Sequence, residues 1–172
     1  IFTASYTGVG GGLVIAVADD PGMHSSQNEQ DSRHYAIASK VPMLEPADSA
    51  ECKDFTKLAF DISEEFDTPV ILRLSTRVSH SQSLVEISER NEIALKPYTK
   101  DPSKYVMAPA NAIKRHVVAE NRLKELEEYA NTLCENRIEY NDKKMGVICA
   151  GSTYAYAREA FGESVSYLKL AF

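Results

Sequence analysis

The sequence has few of the residues that mark specialised protein classes. It holds three cysteines, Cys52, Cys134 and Cys149, an odd number without the CxxC spacing of zinc or iron–sulfur sites. Such separated thiols indicate reduced, packed side chains in a reducing compartment, not a disulfide scaffold. With 8 glycines and 7 prolines among 172 residues, the chain is also not of low complexity.

Excess basic charge and long apolar runs are absent as well. The 19 Lys and Arg residues face 25 Asp and Glu residues, which gives a net charge of −6. Nucleic-acid binding needs a basic footprint, so we expect no nucleic-acid partner. No apolar run approaches the ~18 residues of a membrane span, and no signal peptide is visible. We therefore expect no membrane partner and a cytoplasmic location.

The first half of the sequence alternates between strand and helix patterns. The non-alternating apolar run at 13–18 predicts a strand buried on both faces, and the runs at 41–44 and 70–74 predict two further strands. The spacing of Ser26 and Glu29 resembles a capping box and predicts a helix start near Ser26. Asp48 and Glu51 repeat that spacing before a helical apolar pattern that ends near Pro69. This order predicts an α/β fold with a doubly wound parallel sheet.

The second half differs in composition. Residues 79–108 are polar and aperiodic, as in a linker, and residues 110–134 predict a helix of roughly 37 Å. A second α/β unit follows, with strands at 145–150 and 165–172 around a helix from Thr153 to Phe161. We thus predict domains at 1–78 and 144–172, joined by a linker with a long helix at 79–143. Because the chain starts without Met and stops in an apolar run, we expect it to be an internal piece.

Two glycine patterns resemble nucleotide motifs. Gly8, Gly10 and Gly12 precede the first strand, whereas a dinucleotide fingerprint follows one, so we reject it. Residues 146–153 read GxxxxGST without the P-loop lysine. Amides at that helix start can bind an anion, but an ordinary strand-to-helix turn is favoured.

The stretch from Asp19 to Arg33 is the main candidate site. It follows the carboxyl end of a buried parallel strand, where ligands gather in open α/β sheets. The candidate binding residues are His24, Ser25, Ser26, Gln27, Asn28, Glu29 and Arg33. A solvated loop with a capped helix explains the composition equally well. A second candidate runs from Arg73 through Arg77 to His80, where two arginines suit an acidic group or an adjacent subunit; surface charge is the alternative.

Several strings in this region together resemble a known family. Asp19–Asp31 reads DDPGMHSSQNEQD, and Arg73–Ser81 reads RLSTRVSHS; Tyr6–Val9 and Gly11–Ala18 match as well. They resemble the indolepyruvate:ferredoxin oxidoreductase alpha subunit, of the thiamine-diphosphate-dependent 2-oxoacid:ferredoxin oxidoreductase family. The resemblance is strongest over residues 1–81. It is weaker towards the last unit, which is similar to the start of a transketolase-C-like domain.

The resemblance implies an activity and a set of partners. The family oxidatively decarboxylates aryl pyruvates to aryl-acetyl-CoA and passes the electrons to ferredoxin. It uses thiamine diphosphate, Mg²⁺ and iron–sulfur clusters, and the cofactor supplies the chemistry. Residues 1–78 would be the later part of a pyrimidine-type thiamine-diphosphate-binding domain. The implied partners are a beta subunit, a second alpha subunit, ferredoxin, CoA and the aryl pyruvate.

The departures from the family pattern limit what the chain can do alone. The glutamate that bonds the aminopyrimidine belongs to a segment before Ile1, and neither Glu29 nor Glu45 matches it. The metal–pyrophosphate and cysteine-rich motifs are absent too. We therefore expect no catalytic residue, no bound cofactor and no activity in this piece. The resemblance places the His24–Arg33 loop near the cofactor or the 2-oxoacid, with Arg33 on the substrate carboxylate.

Two other functions remain as alternatives. A non-catalytic α/β module that docks subunits fits the same composition. An independent nucleotide-binding or CoA-binding protein is disfavoured by the missing P-loop lysine.

Overall fold

The computed structural model describes residues 1–24, 26–90 and 92–172. The described residues form the following elements: α1 (Phe2–Thr7), β1 (Val14–Asp19), α2 (Arg33–Ser39), β2 (Met43–Leu44), α3 (Ser49–Glu65), β3 (Val70–Ser75), α4 (Thr76–Ser79), α5 (Pro102–Tyr105), α6 (Pro109–Thr132), β4 (Arg137–Glu139), β5 (Gly146–Ala150), α7 (Thr153–Phe161) and β6 (Ser166–Leu170). In these three stretches no helix has both the length and the apolar character that crossing a membrane requires.

The first sheet is parallel and has the strand order β1-β3-β2. Successive residues of a strand point to opposite faces, and β3 buries both. Val70 and Leu72 pack with Phe55 and Ile62 of α3, whereas Ile71 packs on the other face, in the cluster that includes Ala36 of α2. Helices thus cover both faces, and the predicted doubly wound α/β fold is confirmed.

The second sheet has the order β4-β6-β5, with β5 parallel and β4 antiparallel to β6. The predicted helix Thr153–Phe161 is confirmed, and Gly162 ends it with a positive φ of 54°. The two sheets contact each other directly. Ala171 lies in the same apolar cluster as Leu44, and the Glu45 amide donates to the Ala171 carbonyl at 2.9 Å.

The long helix α6 packs on the first sheet through a narrow face. Ala119, Arg122 and Leu126 are buried, whereas Ile113 is 72% exposed. The guanidinium of Arg122 donates to the Ser5 carbonyl at 2.7 Å and to the Asp67 carbonyl at 3.0 Å. It therefore joins α1, the end of α3 and α6. The acidic and basic side chains predicted to be solvated on this helix are exposed: Lys124, Glu125, Glu127 and Glu128.

Two local predictions were wrong, and one strand was missed. The helix expected near Ser26 begins at Arg33, because the Ser26 hydroxyl donates to the Asp20 carboxylate at 2.6 Å and caps no helix. The strand β4 was not predicted at all. Cys134 was expected to be packed, but it is exposed, whereas Cys149 is buried.

Candidate functional site

The carboxyl ends of β1 and β3 lie side by side. Asp19 ends β1 in register with Ser75, the last residue of β3. The next residue, Asp20, accepts hydrogen bonds from the Ser26 hydroxyl at 2.6 Å and from the Thr76 hydroxyl. The loop after β1 is therefore tied to the first residue of α4. This juxtaposition follows from the parallel pairing, which places both strand ends at one edge of the sheet.

A buried arginine lies beneath this edge. Arg73 is 6% exposed, and its Nε donates to Oδ2 of Asp19 at 2.6 Å, while Nη1 donates to Oε1 of Glu45 at 2.7 Å. Asp19 also accepts from the amide and hydroxyl of Ser32, at 2.6 and 2.7 Å. The sequence left two interpretations of Arg73, surface charge and binding of an external acidic group. The structure supports neither, because Arg73 is buried and donates to two carboxylates of its own chain.

Asp19 and Asp20 stay ionised at neutral pH. Burial acts to raise the pKa of Asp19, but the hydrogen bonds from Ser32 and Arg73 outweigh it and lower that pKa. The hydroxyls of Ser26 and Thr76 lower the pKa of Asp20. The site therefore offers hydrogen-bond acceptors at neutral pH and no proton donor among these carboxyls. Across the described parts of the chain, no three His, Cys, Asp or Glu residues are grouped to hold a metal ion.

Arg33 lies at the start of α2 and pairs with a residue of the same loop. Its Nε and Nη2 donate to the two carboxylate oxygens of Asp31, at 2.8 and 2.7 Å. The hydrogen bonds from Arg33 lower the pKa of Asp31. The Arg33 side chain is 57% exposed. A ligand carboxylate would therefore compete with Asp31 for this guanidinium or bind at its remaining nitrogen.

Two cavities adjoin the loop, and the predicted binding residues that line a cavity are distributed between them. One of about 690 Å³ lies beside the end of β1, with polar and apolar atoms in nearly equal share. Its lining consists of Val17, Ala18, Asp19, Asn28, Glu29, Gln30, Asp31, Ser32, His34 and Tyr35. The other, of about 650 Å³, is mostly apolar, lies between α2 and α6, and includes Arg33. Asn28 and Glu29 thus share one cavity, and Arg33 belongs to the other.

The remaining predicted residues lie outside these cavities or outside the described chain. His24 and Gln27 are exposed, and Ser26 is bonded to Asp20. Ser25 lies outside the described residues. The second candidate segment splits: Arg73 is buried, whereas the exposed Arg77 lies over the ring of Tyr156 at 5.9 Å.

The second sheet also reaches the site, through the turn before α7. Gly151 has a φ of +54°, and a Cβ there would lie 2.5 Å from Oε1 of Glu45. Only glycine therefore lets the turn approach this carboxylate without strain. The GxxxxGST pattern forms this strand-to-helix turn, as favoured from the sequence. The sequence analysis did not identify Glu45 and Ser32 as site residues. The sequence feature that pointed to their hydrogen bonds was Arg73, an arginine within an otherwise apolar strand.

A chain with this parallel sheet and polar strand-end loop matches a family of cofactor-binding oxidoreductase domains. Residues 14–145 match the family described as pyruvate flavodoxin/ferredoxin oxidoreductase, thiamine diphosphate-binding. The chain belongs to this family, and the resemblance found from the sequence is confirmed.

Individual relatives carry a more specific name. The chain is similar to indolepyruvate oxidoreductase subunit IorA of Thermococcus kodakarensis, with 44% identity over 95% of the chain and 27% of the relative. It is 41% identical to the IorA of Archaeoglobus fulgidus, over 93% of the chain and 26% of the relative. The chain thus spans about a quarter of the length of these curated relatives.

A solved structure shares the fold. It is a 2-oxoglutarate:ferredoxin oxidoreductase from Magnetococcus marinus, with 2-oxoglutarate, coenzyme A and succinyl-CoA bound. The TM-score is 0.62 at 15% identity, over 99% of this chain and 38% of the other. At this identity the likeness concerns the fold alone.

Proposed function

We propose that this chain forms one wall of a thiamine-diphosphate site in a 2-oxoacid:ferredoxin oxidoreductase. The observation that carries the proposal is the cavity of about 690 Å³ at the carboxyl end of β1, within the residues that match the thiamine-diphosphate-binding family. Ligands of open parallel sheets bind at this edge, and the cavity volume lies within the range of small-molecule sites.

The lining of this cavity fits a heteroaromatic ring. Val17 and Tyr35 offer apolar surface, and Asn28, Glu29 and His34 offer polar groups beside it. When bound, thiamine diphosphate supplies the electron sink for decarboxylation of a 2-oxoacid. The residues of this chain bind and orient ligands, and none of them acts as a catalytic residue. The chain by itself is therefore inactive in this proposal.

The substrate in this proposal is an aryl pyruvate such as indolepyruvate, and the product is aryl-acetyl-CoA. The names of the relatives at 41–44% identity support this choice. Mg²⁺ and the iron–sulfur clusters would be held by parts of the complete protein beyond this chain. Its partners would be a beta subunit, a second alpha subunit, ferredoxin and CoA, in the cytoplasm.

Calorimetry with thiamine diphosphate and Mg²⁺ tests the proposal. The full-length protein, purified without oxygen, is titrated beside a chain of residues 1–172. We expect saturable binding by the full-length protein and none by the shorter chain, because one wall of a site leaves most of the ligand in water. Absence of binding by the full-length protein would contradict the cofactor assignment.

A docking module without catalysis is the second candidate. It is favoured by apolar side chains exposed on α6, where Ile113 and Val117 are 72% and 58% exposed. Exposed apolar surface often marks contacts between proteins. Self-association of residues 1–172, together with no cofactor binding by the full-length protein, would favour this function.

A further inference from the structure

Arg73 connects three segments that are distant in sequence. Its guanidinium contacts Asp19 at the end of β1 and Glu45 after β2, and its Nη2 lies 3.9 Å from Oδ1 of Asp31 in the loop. Only 7% of the side chain is exposed. Strand β3 is otherwise buried on both faces, and a charged side chain there carries a large desolvation cost. The role of Arg73 must therefore account for this cost.

We propose that Arg73 is a positioning residue that fixes the described loop residues, 20–24 and 26–32, against the cavity beside β1. The proposal rests on the proposed function, since that cavity is the cofactor site. Arg73 orients Asp19, and Asp19 in turn holds the amide and hydroxyl of Ser32, the last residue before α2. Asp20 anchors the other end of the loop through Ser26 and Thr76. Both ends of the loop are thereby fixed.

The geometry of the guanidinium accounts for the choice of arginine. Nε and Nη1 reach two different carboxylates at 2.6 and 2.7 Å. A lysine presents one compact charge and lacks this rigid arrangement of donors. The same guanidinium holds Glu45 beside Gly151, so the turn of the second sheet is fixed relative to the loop. Arg73 itself lines neither cavity, and its effect on a ligand passes through Asp19 and Ser32.

The test uses Arg73→Gln and Arg73→Lys in the full-length protein. Arg115→Gln is the matched control, because Arg115 is also a poorly exposed arginine that donates to a carboxylate, that of Asp67 at 3.2 Å, away from the loop. Two quantities are measured: the dissociation constant of thiamine diphosphate by calorimetry, and amide hydrogen exchange of residues 20–32.

We expect Arg73→Gln to weaken cofactor binding about tenfold or more and to speed exchange in the loop. Arg73→Lys should give a smaller change in the same direction, and it serves alone if Arg73→Gln does not fold. Arg115→Gln should change the dissociation constant by less than about twofold. Equal effects of the Arg73 and Arg115 variants, or unchanged loop exchange in both Arg73 variants, would overturn the inference.

Failure of the proposed function gives a different result. In that case the unmodified full-length protein does not bind thiamine diphosphate, and the exchange measurement alone decides whether Arg73 fixes the loop. Faster exchange of residues 20–32 in the Arg73 variants, but not in Arg115→Gln, then supports the inference.

Discussion

Arg33 is held by Asp31 through two hydrogen bonds at 2.8 and 2.7 Å, yet 57% of its side chain faces solvent. A guanidinium in this arrangement is oriented before any ligand arrives. Because Asp31 already accepts from Nε and Nη2, the carboxylate of a 2-oxoacid would displace Asp31 or bind at the remaining nitrogen. The predicted role of Arg33 in substrate binding stays a prediction.

Replacing Arg33 by alanine tests that role in the full-length enzyme. We expect the KM for the 2-oxoacid to rise about tenfold, because a charge-assisted hydrogen bond to the substrate is lost. Lys104→Ala is the control, since Lys104 lines neither cavity and pairs with Asp67 at 2.8 Å. An unchanged KM in Arg33→Ala, measured in steady-state assays, would remove Arg33 from the substrate site.

At this scale, the sequence predicted which residues are polar but not how they pair. The density of polar groups after β1 was visible directly. The bond from Arg73 to Asp19 joins residues 54 positions apart, and no local pattern encodes such a pair. Glu45 likewise lies 28 positions from Arg73. The sequence analysis therefore compared Glu45 only with the glutamate that bonds the aminopyrimidine in the family, and did not identify it as a partner of Arg73.

Among the elements, α3 shows a cap that the sequence predicted correctly. The Asp48 carboxylate accepts from the Glu51 amide at 2.9 Å, and the Glu51 carboxylate accepts from the Ala47 amide at 2.8 Å. The same spacing at Ser26 and Glu29 produced no helix there. The two segments differ in their apolar pattern, because apolar residues recur with helical spacing only after Asp48.

The cap can be tested by replacing Asp48 with alanine. We expect the free energy of opening α3 to fall by about 1 kcal/mol, the usual cost of losing an N-cap side chain. Native-state hydrogen exchange of the α3 amides measures this quantity. Asp54→Ala, an exposed position on the same helix, is the control. Equal protection in Asp48→Ala and the unmodified protein would contradict a stabilising cap.

The strand β4 shows the opposite case, an element without a local signal. It has three residues, and Ile138 at its centre is 55% exposed. It exists because Arg137–Glu139 pair with Tyr167–Lys169 of β6. Such pairing is decided by the partner strand and not by the short segment itself.

For the whole molecule, an ion pair with a buried lysine joins the second sheet to α3, which covers one face of the first sheet. Lys169 of β6 is fully buried, and its ammonium donates to the carboxylate of Glu51 on α3. The rings of Phe55 and Tyr154 lie 5.4 and 5.5 Å from the same nitrogen. Nη1 of Arg137 is 3.7 Å from that carboxylate. The second sheet is thus tied to the first by charge as well as by apolar contact.

Glu51→Gln should destabilise the protein by about 3 kcal/mol, because removing one partner leaves a buried charge without compensation. Adding Lys169→Met should recover most of this loss, since a side chain of similar volume without charge then fills the site. A double-mutant cycle from denaturant unfolding measures the coupling. Additive effects of the two substitutions would show that the pair does not connect the sheets energetically.

The bond from Arg122 to Ser5 spans 117 positions of the chain. At the usual pace of translation, the ribosome needs about 6 to 23 seconds to make a stretch of that length. Helix α1 is made before α6 and lacks this bond during the interval. We therefore expect α1 to complete its docking only after α6 has been made.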